Sequence, residues 1–451
     1  MKKTARVLAA VMAFLVLGRI SPGQTDEERL RALEQELTRL RTAVAAAREA
    51  GTLESRLEEL ERRLGVLAEE VDRLRRSESE ASADASQMGL GPAASKVYRS
   101  GPGVSFGGYG EALYEDPAST RDDGTASARN EQADLLRVVL FTGYAFSDRF
   151  VLNTEIEFEH ASTGKGGEVS IELATIDFLA RPEVGVRGGM VLMPVGLVNE
   201  LHEPTVFLGS RRPQVESVLI PTTWREFGVG LFGELGDFTY RTYVVTGLDA
   251  GKFSAGGIRA GRQSGARAKA TDLAWVGRLD WNGIPGLLLG GSAYIGRSGQ
   301  GLIAQGSELE VPIVMLEAHL DLRWRGLRLR GLAVRSELDD VAQLNAALGL
   351  QGSSSVGEKQ SGQYLEVGYD VLAGGGGRRS VVPFMRIERL DTQAGVPPGF
   401  AARPDSQVDV RTYGISFKPF EQIVVKADFQ DFDTPTGSGV DQFNVALGWI
   451  F

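Results

Sequence analysis

The chain has 451 residues, 57 of them glycine, with no cysteine and a formal charge of −10 from 49 Lys/Arg and 59 Asp/Glu. The missing thiols exclude a disulfide framework, a thiolate metal site, a cysteine nucleophile and a lipidated cysteine anchor, and the acidic balance gives no footing for nucleic acid. A mean hydropathy of −0.10 excludes a helical membrane protein, and the apolar content excludes wholesale disorder.

At the N-terminus, Lys2, Lys3 and Arg6 precede an apolar run from Val7 to Leu17. This reads as a secretory signal peptide over residues 1–23, with Ser21-Pro22-Gly23 before the cut. No later run approaches the roughly 18 consecutive apolar residues of a membrane helix, so the chain is exported without a helical anchor. Residues 24–76 follow a helical period: Leu30, Leu33, Leu37, Leu40 and Val44, then Leu53, Leu57, Leu60, Leu64, Leu67, Val71 and Leu74. These seams predict a periplasmic α-helical coiled coil, with a register break near Gly51. Residues 77–103, rich in Ser, Ala and Gly, read as a linker.

From residue 104 to 451 strand and turn alternate to the end, in about 16 segments. Every second connection is tight, such as Ser147-Asp148, Arg181-Pro182, Gly236-Asp237, Asn282-Gly283 and Arg325-Gly326. Those between are longer, and that alternation is the mark of an outer-membrane barrel with periplasmic turns and external loops. The fold predicted is therefore an all-β transmembrane barrel of about 16 antiparallel strands, preceded by the coil. In one strand Leu152, Thr154, Ile156 and Phe158 alternate with Asn153, Glu155, Glu157 and Glu159; in another Leu316, Ala318, Leu320 and Leu322 alternate with Glu317, His319, Asp321 and Arg323. A charge facing lipid at mid-depth costs about 2–4 kcal/mol, so the charged rows are assigned to a wet lumen. That assignment gives an acidic wall of Glu155, Glu157, Glu159 and Glu172, and a mainly basic one of Arg323, Arg328, Arg330, Arg386 and Arg411. Such walls would either set a transverse field or pair across neighbouring strands.

The connection 194–223 is the longest, and its Val195, Leu197, Val198, Leu201, Val206 and Leu208 would not stand in water. Folded inward, it would carry Glu200, Glu203, Arg211, Arg212 and Glu216 across the bore, with Arg225 at its exit. His202-Glu203 has no second ligand at metal spacing, and histidines at 160, 202 and 319 alone make no catalytic constellation. No cofactor, metal or enzyme activity is expected. The next loop carries Lys252, Arg259, Arg262, Arg267 and Lys269, placed to gather anions or to touch lipopolysaccharide phosphates. The final strand puts Phe443, Val445, Leu447, Trp449 and Phe451 on one apolar face, and its terminal Phe451 is expected to be the signal read by the barrel assembly machinery.

The stretches Leu201–Gly209, Arg212–Glu216 and Ile220–Glu226 resemble the phosphate-selective porin O and P type family in its broad sense, as does Arg137–Phe146 with its Ser147-Asp148 turn. The N-terminal coil is similar to that of the DcaP-like porins. The resemblance implies a homotrimer of 16-stranded barrels with inward loops, each passing small hydrophilic solutes, anions among them, across the outer membrane of a Gram-negative bacterium. The arginine and lysine ladder of the phosphate-specific members has no residue-by-residue counterpart here. A second reading makes the barrel an anchor whose coil contacts peptidoglycan or periplasmic partners.

Overall fold

The computed structural model describes Thr38 and residues 88–220, 222–374 and 379–451. The expected signal peptide and, apart from Thr38, the expected coiled coil lie outside the described residues. Sixteen strands form the wall: β1 (Gly103–Pro117), β2 (Gln132–Ala145), β3 (Phe150–Glu159), β4 (Val169–Arg181), β5 (Val184–Leu192), β6 (Arg225–Leu235), β7 (Phe238–Thr246), β8 (Leu273–Ile284), β9 (Leu287–Arg297), β10 (Pro312–Trp324), β11 (Leu327–Leu338), β12 (Lys359–Tyr369), β13 (Ser380–Gly395), β14 (Gln407–Phe420), β15 (Ile423–Asp433) and β16 (Gln442–Ile450). Each pairs antiparallel with its sequence neighbours, and β1 pairs with β16 from Tyr109 opposite Ile450 to Pro117 opposite Gln442. The barrel is closed, so no strand edge is left unpaired. Phe451 completes the seam, exchanging main-chain hydrogen bonds with Gly108 in both directions.

The sixteen strands match the number read from the alternation of strand and turn. Before β10 the chain makes a small separate hairpin at 303–308. Outward positions form an apolar belt that includes Leu140, Val229, Leu279, Leu316, Ile387, Ile415 and Leu447, all exposed. Such a belt around a closed barrel is what hydrocarbon requires of a spanning β-protein. Among the described residues no helix is long and apolar enough to cross a membrane.

Two differences from the sequence reading concern the interior. Arg411 is not in the lumen. On β14 the outward row is Phe417, Ile415, Tyr413, and parity carries Arg411 onto the same face, where it bonds Asp431 and Asp433 at 3.0 and 2.6 Å. It sits at the external end of the strand, above the apolar belt, where an outward charge costs little. Nor is the interior uniformly wet. The external loops drop Leu248, Phe253, Ile258, Val311, Val341, Leu344 and Val356 into one buried cluster with the inward faces of the neighbouring strands, among them Tyr243, Tyr294, Met315 and Val334.

Candidate functional site

The connection from Met193 to Trp224 runs inside the barrel, and its root is stapled by Asn199. That amide donates to Met193 O and Trp224 O at 2.8 and 3.0 Å and accepts from Trp224 N at 2.8 Å. Both limbs are thus tied by one side chain. Val195, Leu197, Val198, Phe207, Val215, Leu219 and Ile220 are all buried in the shared apolar cluster, which is why a segment so rich in aliphatics turns inward.

Its far end reaches the wall half-way round the ring. Lys426 Nζ donates to Gly209 O at 2.9 Å and lies 3.6 Å from the Phe207 ring centre. Ser210 N donates to Asp428, and Val215 N to Glu388 Oε2 at 3.1 Å. Glu388 is held by Arg386 at 2.7 Å, and Arg386 also pairs with Glu366 at 3.1 Å. Glu216 accepts from Leu197 N, Val198 N and Tyr364 at 2.7–2.8 Å. The connection therefore spans from β5 and β6 to β12, β13 and β15.

On the near side, Glu155, Glu157 and Glu172 are buried and meet their counter-charges at once. His202 Nε2 lies 3.0 Å from Glu155, Arg225 lies 2.7 Å from Glu172, and Arg137 lies 3.2 Å from Glu157 and 3.6 Å from Glu111. Glu155, Glu172 and His202 bring three metal-type donor atoms within 4.8 Å of one another, a juxtaposition that sequence spacing hid because each comes from a different element. His202 Nδ1 donates to Asn199 O at 2.8 Å, so the ring is oriented as a ligand's would be. The arginines on Glu157 and Glu172 already supply the positive charge, and the cluster is coherent as an ion-pair network. Glu200 pairs with Arg241 and Arg278 at 3.4 and 3.6 Å. Burial pushes the Glu203 carboxyl up to about 8, against the pull of the two main-chain N–H groups that it accepts from.

The basic wall is paired as well. Arg330 bonds Asp321 at 2.6 Å, Arg323 lies 3.6 Å from the same carboxylate, and Arg328 sits opposite Arg323 near the short-turn rim. Both walls therefore carry counter-ions from neighbouring elements, the pairing that is the alternative to a transverse field.

A cavity of about 460 Å³ opens on the long-loop side of the inward segment. Its charged lining is Arg129, Arg137, Arg211, Arg212 and Arg259 against Glu111, Glu115 and Glu159. Arg211 pairs with Glu115 at 2.7 Å. Arg212 donates to His202 O at 3.2 Å and Arg259 to Ser217 O; neither makes an ion pair with a described residue. Arg262, from the same loop as Arg259, donates to Thr222 O at 2.9 Å, and burial beside Arg259 brings its guanidinium down to about 10. Two of the five basic residues of that loop are thus turned onto the inward segment. Smaller cavities of about 200 and 290 Å³ lie on the short-turn side and share Leu201.

Residues 88–100, taken from the sequence as part of a linker, are also inside. Leu90, Ala93, Ala94 and Val97 are buried, and the short helix α1 (Lys96–Arg99) packs against β1, β2 and β3. Only their small size and the isolated Leu90, Val97 and Tyr98 hinted at this.

Over 378 residues the chain is 35% identical to an uncharacterised protein of Aquifex aeolicus (strain VF5), covering 80% of this chain and 83% of that one. The two proteins belong to one family. No family model matches the sequence. Among solved structures, OmpF of Salmonella typhi in complex with daunomycin aligns with a TM-score of 0.50 at 9% identity over 78% of this chain and 98% of its own, a likeness of fold. The anion-selective porin of Comamonas acidovorans aligns at 0.49 and 12% identity, covering 77% and 99%, and the outer membrane channel DcaP of Acinetobacter baumannii at 0.48 and 12%, covering 77% and 97%. The fold of this chain's barrel is that of a porin.

Proposed function

We propose that the protein is an outer-membrane porin in which the inward segment 193–224 forms the constriction and small hydrophilic solutes, preferentially anions, diffuse passively. The observation that carries this is the external cavity, where five arginines face three glutamates and two of the arginines, 212 and 259, bond main-chain carbonyls. A positive excess at the entrance to a narrow passage raises the local concentration of anions and lowers their barrier. Arg211 and Arg212, beside Pro213, are the residues of the inward segment placed to meet those anions. A homotrimer, the signal peptide at 1–23 and the periplasmic coil at 24–76 complete the proposal. Contact with lipopolysaccharide phosphates falls to Lys252, Arg267 and Lys269, the basic residues of the loop that are exposed rather than turned onto the inward segment. The apolar packing under the external loops gives some support to the anchor reading, in which the coil grips peptidoglycan and the barrel does not conduct.

The test is the reversal potential of the purified protein in a potassium chloride gradient, with Arg212→Gln/Arg259→Gln beside it. Anion preference that falls in the double variant is expected. Cation preference in the unaltered protein would overturn the assignment.

A further inference from the structure

The inward segment is not alone in crossing the bore: the chain that leads into β1 lies beneath it. Glu203 Oε1 accepts from Ala93 N at 2.8 Å and Ala94 N at 3.3 Å. Asn153 of β3 donates to Ala94 O at 2.8 Å. Arg187 of β5 donates to Met88 O at 3.2 Å and to Tyr98 Oη at 3.2 Å, and Tyr98 in turn donates to Asp177 of β4 at 2.7 Å. These anchors come from three wall strands and from the inward connection itself, so the segment is seated on several sides. The fit is tight enough to show in the glycines. A Cβ on Gly91 would collide with Glu203 Oε1, and one on Gly143 of β2 with Val97 Cγ2. Neither position has room for a side chain while the segment is seated. Met88 and Gly89 line one cavity on the short-turn side, and Pro92 lines the other. The segment leaves Lys96 and Arg99 exposed.

We propose that residues 88–99 are the second half of the constriction: a seated strap that sets the size limit on the short-turn side and, through Lys96 and Arg99, carries the basic character of the passage to that exit. This rests on the porin reading and deepens it. A solute that clears the arginines above 193–224 must still pass the strap, and conduction is governed by the narrowest section of its path.

The test uses the full chain in bilayers. Gly143→Leu puts a side chain where Val97 now lies, on an inward position of β2 opposite the anchor Asn153 of β3, and so displaces the strap from the wall. The absence of native cysteine allows Val97→Cys to report seating through the reactivity of its thiol with a membrane-impermeant maleimide. The expectation is a shielded thiol in Val97→Cys alone, a reactive one when Gly143→Leu is added, and a unitary conductance raised about twofold or more in Gly143→Leu, as removal of a limiting section requires. If Gly143→Leu does not assemble, Asn153→Ala/Glu203→Ala removes the amide that holds Ala94 O and the acceptor that holds Ala93 N and Ala94 N, and is read in the same two assays. A thiol already reactive in Val97→Cys alone, or one that becomes reactive while conductance and size limit stay as they were, overturns the proposal. A protein that is electrically silent in all forms, with the introduced thiol moving from shielded to reactive as expected, overturns the porin reading and leaves the seat of the strap in place.

Discussion

Arg386→Met removes the cation on which the far end of the inward segment is built. Arg386 is fully buried, bonds Glu388 at 2.7 Å and Glu366 at 3.1 Å, and reaches Arg211 O at 3.4 Å. Glu388 in turn holds Val215 N. Methionine fills most of the volume but leaves the Glu366 and Glu388 carboxylates without their shared cation. Breaking a buried pair from one side costs about 3–5 kcal/mol. If about 3 kcal/mol of that falls on the seating of residues 207–216, local opening becomes about 100-fold more frequent. Hydrogen exchange in nanodiscs reads this at the Ser210 and Val215 amides, which are bonded to Asp428 and Glu388, with the strand amides of β13 as the internal reference. Channel recordings should show added open-state noise. Neutralising the whole set, Arg386→Met/Glu366→Gln/Glu388→Gln, should recover much of the protection, because replacing a pair costs less than orphaning half of it. Unchanged exchange at Ser210 and Val215 in Arg386→Met would refute the reasoning that this cluster latches the segment.

Asn199→Ala deletes three hydrogen bonds at the root of the same segment and should cost roughly 1–3 kcal/mol of local stability for the groups left unpaired, visible as protease cleavage within 194–223 in folded barrels. Phe451→Ser should slow assembly, followed by heat-modifiable gel mobility, while leaving the conductance of assembled barrels unchanged; equal assembly rates with altered conductance would show that the residue serves the pore. Arg411→Gln, now placed on the outer face, should leave conductance and ion selectivity unaltered, and a selectivity shift in bilayers would return it to the lumen.

Much of the barrel was legible because a membrane wall obeys one strict rule. Each strand must show lipid one face, so Leu152 to Phe158 against Asn153 to Glu159, or Phe443 to Phe451 against its partners, sort the chain by parity alone. Arg411 was misplaced because the rule weakens toward the rim, where depth rather than parity decides what a charge costs. The inward course of 193–224 could be anticipated from its aliphatics, which need burial. Its latch could not, since Arg386, Glu388, Lys426 and Asp428 come from β13 and β15 and meet Gly209, Ser210 and Val215 only in three dimensions. The Glu155–Glu172–His202 cluster was hidden for the same reason. Residues 88–100 were read as a linker because the stretch is small and polar on average, and a run of small residues fits a crowded interior as readily as it makes a flexible tether.

Planar bilayer recording of the purified protein decides between channel and anchor. A solute channel built as a trimer predicts stepwise conductance increments in groups of three, with anion preference in a salt gradient. Folded barrels that insert yet stay electrically silent would contradict the claim and leave the barrel as an anchor.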